Sequence, residues 1–390
     1  MKVIVFTRDF PPEFGGVQRL LGKVADHYGK DALVIARRCP GFREYDQGRP
    51  YTTIRMRRFE WRHANPVMSR ILGAISYLLR FFVGGIHLGD AIRRQKTDLV
   101  LCGYAFPNGL PMVVARLLTG CPFVVWCHGT ETLRALESGG LQRAALRLVW
   151  RLAVRVVVHS RFMRDEVARF VPPEKIIVNR LGSDSGNLDF SAAPATAVDE
   201  LPLAGRAVVL TVGRLERRKG HDLLAHAMPL IREKIPHVLW LIVGDGPERE
   251  RLTQAIADWR LADCVRLLGR RSDAEVSALL ARADLFAMPS RRIGPDVEAF
   301  GIVYLEAARF GVPAVGGRSG GVADAVQDGV TGLLCDPEDP RDIAAKVITL
   351  LGDPARRAEM GRAAKANAER QTWDEFARHL SEELSRIDLS

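Results

Sequence analysis

The sequence predicts an α/β fold built from two Rossmann-like domains. Short β-branched runs alternate with longer amphipathic stretches, the pattern of βα units and a parallel sheet. Each half of the chain opens alike, with a buried strand, a glycine-containing loop and a helix. At 390 residues the chain is also too long for one ordinary domain.

In the first half the strand candidates are Val3–Phe6, Leu33–Ala36, Leu99–Cys102, Phe123–Trp126 and Val154–Val158. The second half offers Val208–Val212, Leu239–Val243, Val265–Leu267, Leu285–Met288 and Ala314–Gly316. Ser183 to Gly205 is rich in Ser, Ala, Pro and Asp and lacks periodicity, so it reads as a linker. The expected domains are therefore residues 1–185 and 206–371. A last helix from about Trp373 to Ile387, within 372–390, is expected to pack back on the first domain. Ser272-x-x-Glu275 and Thr372-x-x-Glu375 are capping boxes, and Asp339-Pro340 and Asp353-Pro354 set an N-cap before a proline at the first helical position.

Composition is that of an ordinary globular protein, 47% apolar and 26% charged. The net charge of +10 favours an anionic partner such as a phosphorylated ligand or anionic lipid. Nucleic acid is the weakest of these, because no zinc-finger spacing or RNP-type aromatic motif is present. None of the six cysteines forms a Cys-x-x-Cys pair, which leaves zinc and thioredoxin chemistry unsupported and points to buried thiols in a reducing compartment. The most apolar stretch, Ile71 to Ile86, contains Arg80 and falls short of the ~20 residues of a membrane span. Met1 to Phe6 reads as a strand and not as a signal peptide.

Four segments carry chemistry. Asp296-Val297-Glu298-Ala299-Phe300-Gly301 runs on to Glu306, placing one glutamate just before a helix and another about two turns inside it, roughly 12 Å apart at full helical rise. That suits two ends of an extended ligand and is too long for most glycosidase pairs, at about 5–9.5 Å. Gly301 opens backbone amides that bind anions and hydroxyls. Gly213-Arg214-Leu215-Glu216-Arg217-Arg218-Lys219-Gly220 is a cationic loop directly after a strand, where open α/β sheets bind ligands. Phe10-Pro11-Pro12-Glu13-Phe14-Gly15-Gly16 follows β-type sequence and allows close approach of backbone to a phosphate or sugar. His128, beside Gly129 at a strand's carboxyl end, is a cleft candidate, although a lone His is usually structural. Gly-x-Gly-x-x-Gly and Gly-x-x-x-x-Gly-Lys-Ser/Thr are missing, which argues against a dinucleotide dehydrogenase and a P-loop ATPase.

Taken together, these segments resemble family 4 of the glycosyltransferases, the retaining group with the GT-B fold of two Rossmann-like domains facing across a cleft. Glu298 and Glu306, Gly213-Arg214 with Lys219-Gly220, Gly15-Gly16, His128-Gly129, Gly244-Asp245-Gly246-Pro247 and Gly320-Gly321 match in order and spacing. Within the family, Thr7 to Pro12 and Asp296 to Glu306 look like the bacterial phosphatidylinositol mannosyltransferases, which use GDP-mannose. The family's Asn-Gly-Val-Asp loop is replaced here by Arg180-Leu181-Gly182-Ser183-Asp184.

The resemblance implies a nucleotide-sugar co-substrate, GDP-mannose ahead of UDP-sugars, and a lipid or glycan acceptor. Arg214 and Lys219 would hold the diphosphate, Glu306 the ribose, and Glu298 a hexose hydroxyl with the amides around Phe300, Gly301, Ile302 and Val303. His128 would touch the hexose, and Gly15 and Gly16 would close the phosphate pocket. No Asp-x-Asp motif is present, in keeping with metal-independent front-face displacement. The expected alternatives are a UDP-sugar-dependent glucosyl- or GlcNAc-type transferase, a nucleotide-sugar epimerase, and a non-catalytic nucleotide-binding protein. A basic face of Arg55, Arg57, Arg58 and Arg62 before the apolar segment Val67–Val83, with Arg143, Arg147 and Arg151, would let a cytoplasmic enzyme rest on the anionic inner membrane.

Overall fold

The computed structural model describes residues 1–13, 15–56, 68–183 and 201–387. Phe14, Arg57, Arg58, Arg62, Val67, Asp184 and most of the expected linker lie outside these residues. The chain divides into two compact units, one of Met1–His159, Met163–Asn179 and Phe376–Ser390, the other of Ser160–Phe162 and Arg180–Glu375.

The first unit holds seven parallel strands: β1 (Val3–Phe6), β2 (Ala32–Arg37), β3 (Thr52–Met56), β4 (Leu99–Cys102), β5 (Phe123–Cys127), β6 (Arg155–Val158) and β7 (Ile176–Val178), in the spatial order 3-2-1-4-5-6-7. The second holds β8 (Ala207–Val212), β9 (Val238–Val243), β10 (Val265–Gly269), β11 (Leu285–Met288), β12 (Ala314–Gly317) and β13 (Gly332–Cys335), in the order 10-9-8-11-12-13. Both orders run outward from a central pair, the doubly wound arrangement. All ten strands read from sequence are present.

Three further strands, β3, β7 and β13, were not expected, and each lies at a sheet edge. An edge strand is spared burial on all sides and needs no apolar run. Thr52-Thr53-Ile54-Arg55-Met56 accordingly alternates in exposure, with Ile54 46% accessible.

In the second unit, successive strand residues feed two cores. Val209, Trp240, Ile242 and Ala287 face the helices His221–Lys234 and Pro340–Gly352. Val208, Leu210, Leu239 and Leu241 face Asp273–Arg282 and Ile302–Arg309. The period of two therefore separates two layers on one sheet.

Helix starts follow the capping chemistry. Ser272 and Glu275 form the reciprocal box, the Thr372 hydroxyl accepts from the Glu375 amide at 3.1 Å, and Asp339 and Asp353 cap the Pro340 and Pro354 helices at 2.9 and 3.0 Å. The last helix spans Trp373–Ser385, two residues shorter than expected. All six cysteines are buried free thiols, and burial pushes each of them up. The apolar stretch at 71–86 falls within a 28-residue helix, Met68–Gln95. Among the described residues, no helix is long and apolar enough to cross a membrane.

The proposed basic face loses one member. The Arg55 side chain is only 3% exposed; its guanidinium donates to both Asp46 oxygens at 2.9 and 2.7 Å and to Pro11 O at 2.6 Å, and lies over the Phe10 ring. It pins edge strand β3 to the loop after β1 and is no surface charge. Arg55→Ala strands Asp46 and the Pro11 carbonyl, and should cost about 3 kcal/mol in urea unfolding, the scale of breaking a buried pair. A loss below about 1 kcal/mol would place Arg55 with ordinary surface pairs.

Candidate functional site

In the second sheet the winding reverses between β8 and β11, and the loops leaving these two strands meet. The Arg291 amide donates to Arg218 O at 2.8 Å, tying one loop to the other. Gly220 ends the cationic loop at φ 75°, and a β-carbon there would stand 2.1 Å from Pro289 O, so only glycine lets the loops come this close. The neighbouring loops join them. Leu215 N donates to Asp245 O at 3.1 Å from the β9 side, and Gly321 N to Glu298 O at 2.8 Å from the β12 side. Four strand ends thus converge where open α/β sheets hold ligands.

At the centre is a carboxylate between two cations. Glu298 Oε2 accepts from Lys219 Nζ and, at 3.1 Å, from Arg218 Nη1, and the three side chains are 13%, 10% and 21% exposed. Burial pushes the Glu298 carboxyl up, but Lys219 and Arg218 outweigh it and hold it below the ordinary carboxylate range. Arg218 also pairs with Glu216 at 3.0 Å. Arg214 is in the same loop but apart from this cluster, 71% exposed and paired with Glu216 at 3.2 Å.

The segment after Glu298 presents backbone. Gly301 has φ 87°, and a side chain there would collide with the Tyr304 ring at 2.6 Å. That ring is buried and its hydroxyl donates to Met288 O at 2.5 Å, fixing Ile302–Arg309 on β11. Phe300 is buried, while Ile302 and Val303 begin the helix, where amides lack intrahelical partners. Because the helix starts only at Ile302, Glu306 stands little more than one turn inside it, not two. The 12 Å estimate assumed helical rise through 298–301, which is not helical.

In the sequence Arg218 appears only as one member of the cationic loop, and His221 and Arg291 do not stand out. Arg291 is 4% exposed and pairs with Asp222 at 2.5 Å, clamping the helix that follows Lys219. His221 is buried with neither ring nitrogen partnered among the described residues; burial, with Lys219 beside it, pushes it down to about 4. The signal available was position, since all three flank the ends of β8 and β11.

Gly15, Gly16 and His128 belong to the first unit. Gly15 precedes and Gly16 opens the helix Gly16–Tyr28, and Gly16 faces open space. His128 follows β5 and is half-buried, with Nε2 2.6 Å from Gly103 O and Nδ1 3.0 Å from Nε2 of His159, a residue the sequence reading did not single out. His159 follows β6 as His128 follows β5, so its strand-end position was the missed signal. The Asp9 carboxylate is gripped by Arg8 at 3.0 Å and by the Tyr104 hydroxyl at 2.7 Å.

Comparison with known proteins bears on this architecture. Residues 14–185 match the model of Glycosyltransferase Family 4, and 197–367 that of Glycosyl transferases group 1. The GDP-mannose-dependent alpha-(1-6)-phosphatidylinositol monomannoside mannosyltransferase of Mycolicibacterium smegmatis is 33% identical, over 98% of each chain. A glycogen synthase of Mycobacterium tuberculosis is 34% identical over 94% of this chain and 89% of its own. Among solved structures, Anabaena HepE in complex with UDP-glucose superposes with a TM-score of 0.77 at 23% identity, over 99% of this chain and all of the other.

Glu298→Gln keeps the shape but leaves Lys219 and Arg218 without their anion. A carboxyl held low in the fold stabilises it above the unfolded value, about 4.3. That stability is lost as pH falls through the lower folded value. The Tm deficit of Glu298→Gln should therefore be largest near neutrality and shrink in acid; a deficit independent of pH would show that the ion pair does not hold Glu298.

Proposed function

The chain belongs to glycosyltransferase family 4, and from that membership we propose that it moves mannose from GDP-mannose to a lipid-linked or polysaccharide acceptor with retention at the sugar. That it is a glycosyltransferase of the GT-B fold follows from the two matching halves and the full-length relatives. The donor, acceptor and stereochemistry are our reading. One observation carries its chemistry: Lys219 and Arg218 converge on Glu298 where the second sheet reverses.

The task is to let a nucleoside diphosphate leave while an acceptor hydroxyl attacks the same face of the sugar. A diphosphate is already a good leaving group, so positioning and charge stabilisation supply most of the acceleration. In our reading Lys219, with Arg214 reaching in from the exposed side of its loop, takes the phosphates and neutralises the charge that builds as the glycosidic bond breaks. A diphosphate competes with Glu298 for Lys219, and the released carboxylate accepts a hydrogen bond from a hexose hydroxyl. In the second unit the Phe300–Val303 backbone supports the sugar and Glu306 takes the ribose hydroxyls; in the first unit the Gly15-Gly16 backbone suits a phosphate and His128 a hexose hydroxyl. The reaction needs no resident metal, because the cations fill that role, and the departing phosphate oxygen assists deprotonation of the acceptor.

GDP-mannose is favoured by the mannosyltransferase relative, named for that donor, at 33% identity over nearly the whole chain. A UDP-sugar donor is the second reading, favoured by the HepE likeness. We place the enzyme in the cytoplasm, peripheral to the inner membrane if its acceptor is a lipid.

Arg214→Ala or Lys219→Ala should lower kcat by about 10²–10³, the scale of one preorganised donor. Near-normal turnover at saturating donor would remove charge stabilisation from the mechanism. In a thermal-shift panel of GDP, UDP and ADP, GDP should give the largest rise in Tm by mass action; a UDP-only shift would overturn the choice of base.

A further inference from the structure

We infer that His128 and His159 share one proton between their rings, which makes His159 the positioning residue for His128. The shared proton follows from hydrogen-bond direction alone. His128 Nε2 is 2.6 Å from Gly103 O, and His159 Nδ1 is 3.0 Å from Asn179 O. A backbone carbonyl only accepts, so both of these nitrogens carry hydrogen. A neutral imidazole has one N–H, and each ring has now spent it. The near nitrogens, His128 Nδ1 and His159 Nε2, are nevertheless 3.0 Å apart, a hydrogen-bond distance. The ring planes differ by 22° and the centroids are 5.1 Å apart, close to the N···N distance plus two ring radii. The two nitrogens therefore lie nearly on the line between the centroids. Without a third proton two lone pairs would face each other; with it, one N–H···N bond joins the rings.

Burial lowers both rings, so the pair holds at most one charge. A proton on one ring opposes a proton on the other, so the pair titrates as a unit. Two carboxyl groups face the pair: Glu131, which burial pushes up toward its neutral form, and Asp9, which hydrogen bonds from Arg8 and Tyr104 hold low against burial. Glu131 accepts the His128 backbone N–H at 2.7 Å and the Thr132 hydroxyl at 3.0 Å and is coupled electrostatically to His159; Asp9 is coupled to His128 from the loop after β1, with Arg8 and Tyr104 on its carboxylate. The Tyr104 ring stands edge-on to His128 with centroids 4.9 Å apart. The last helix closes the far side. Asn179 Nδ2 donates to Phe376 O at 3.1 Å, and His379 Nδ1 lies 2.8 Å from Asn179 Oδ1. His159 is thus held by a backbone carbonyl whose own residue is bonded to two positions of that helix.

The consequence for catalysis rests on the transferase reading. While the proton is in place both His128 nitrogens are engaged, and the ring is locked in one orientation. Losing the proton breaks the link and turns the ring out of register, so kcat should carry an alkaline limb belonging to the pair.

The test uses the full chain with ¹⁵N-histidine. Ring-nitrogen shifts, assigned through His128→Gln and His159→Gln, are followed from about pH 5 to about pH 9, the range of histidine titration. Three N–H groups over the four nitrogens at the acid end, and one loss of a proton reported by both rings together, are expected. Both near nitrogens unprotonated throughout, or two independent titrations, would overturn the shared proton.

Function is read in His159→Gln, whose amide can donate to His128 Nδ1 without an extra proton, and in His159→Leu, which cannot. The Gln variant should retain most of kcat and lose the alkaline limb, while Leu lowers kcat about tenfold or more with little change in KM. Equal losses in the two variants, with folding intact by circular dichroism, would overturn the positioning role. If no GDP- or UDP-sugar is turned over by the parent chain, the transferase reading fails, and the nitrogen shifts still decide the proton.

Discussion

The second unit depends on one arrangement, an anion enclosed by two cations at the reversal of its sheet. Neither Lys219 nor Glu298 would be tolerated alone at its level of burial, since an isolated ion taken out of water carries a penalty of several kcal/mol. Their mutual neutralisation lets a site of high charge density exist inside a folded unit. Much of the surrounding backbone serves it: Gly220 brings one loop against Pro289, Arg291 holds Arg218 from the other, and Tyr304 anchors the helix that starts beyond Gly301. In the proposed function an anionic ligand meets cations that are already desolvated and oriented.

Much of this was legible in the sequence, and the rest was hidden for identifiable reasons. Buried central strands declare themselves by continuous apolar runs, and all nine were readable, with the edge strand β10 as a tenth. Edge strand β3 was not, because a strand with solvent on one side need not be apolar; β7 and β13 are apolar runs of only three and four residues that do not stand out. In the site, the Lys219 loop and the Glu298 segment stood out because both follow strands. That Arg218, and not Arg214, would join them on one carboxylate depends on side-chain direction across two loops, which spacing does not encode. Arg55 misled for the same reason: an arginine in a basic run reads as surface, whereas contacts with Asp46, Pro11 and Phe10 make it a core fastener.

His128 shows how two readings of one residue need not exclude each other. Its strand-end position pointed to a ligand, while the usual fate of a lone histidine pointed to structure. Its ring is structurally engaged through Gly103 and His159, and the loop it occupies is still the one that faces the ends of the sheet. Structural commitment and functional placement are compatible when the structure supplies the orientation that the function requires. The same holds for Tyr104, whose hydroxyl fixes the Asp9 carboxylate next to that ring.

The burial of all six sulfhydryls has a practical side. With each thiol shielded and its thiolate disfavoured, the native chain offers little to maleimides or other alkylating reagents. A single cysteine engineered on an exposed loop would then be the one reactive handle, so a fluorophore or spin label could be attached to either unit without first removing native residues.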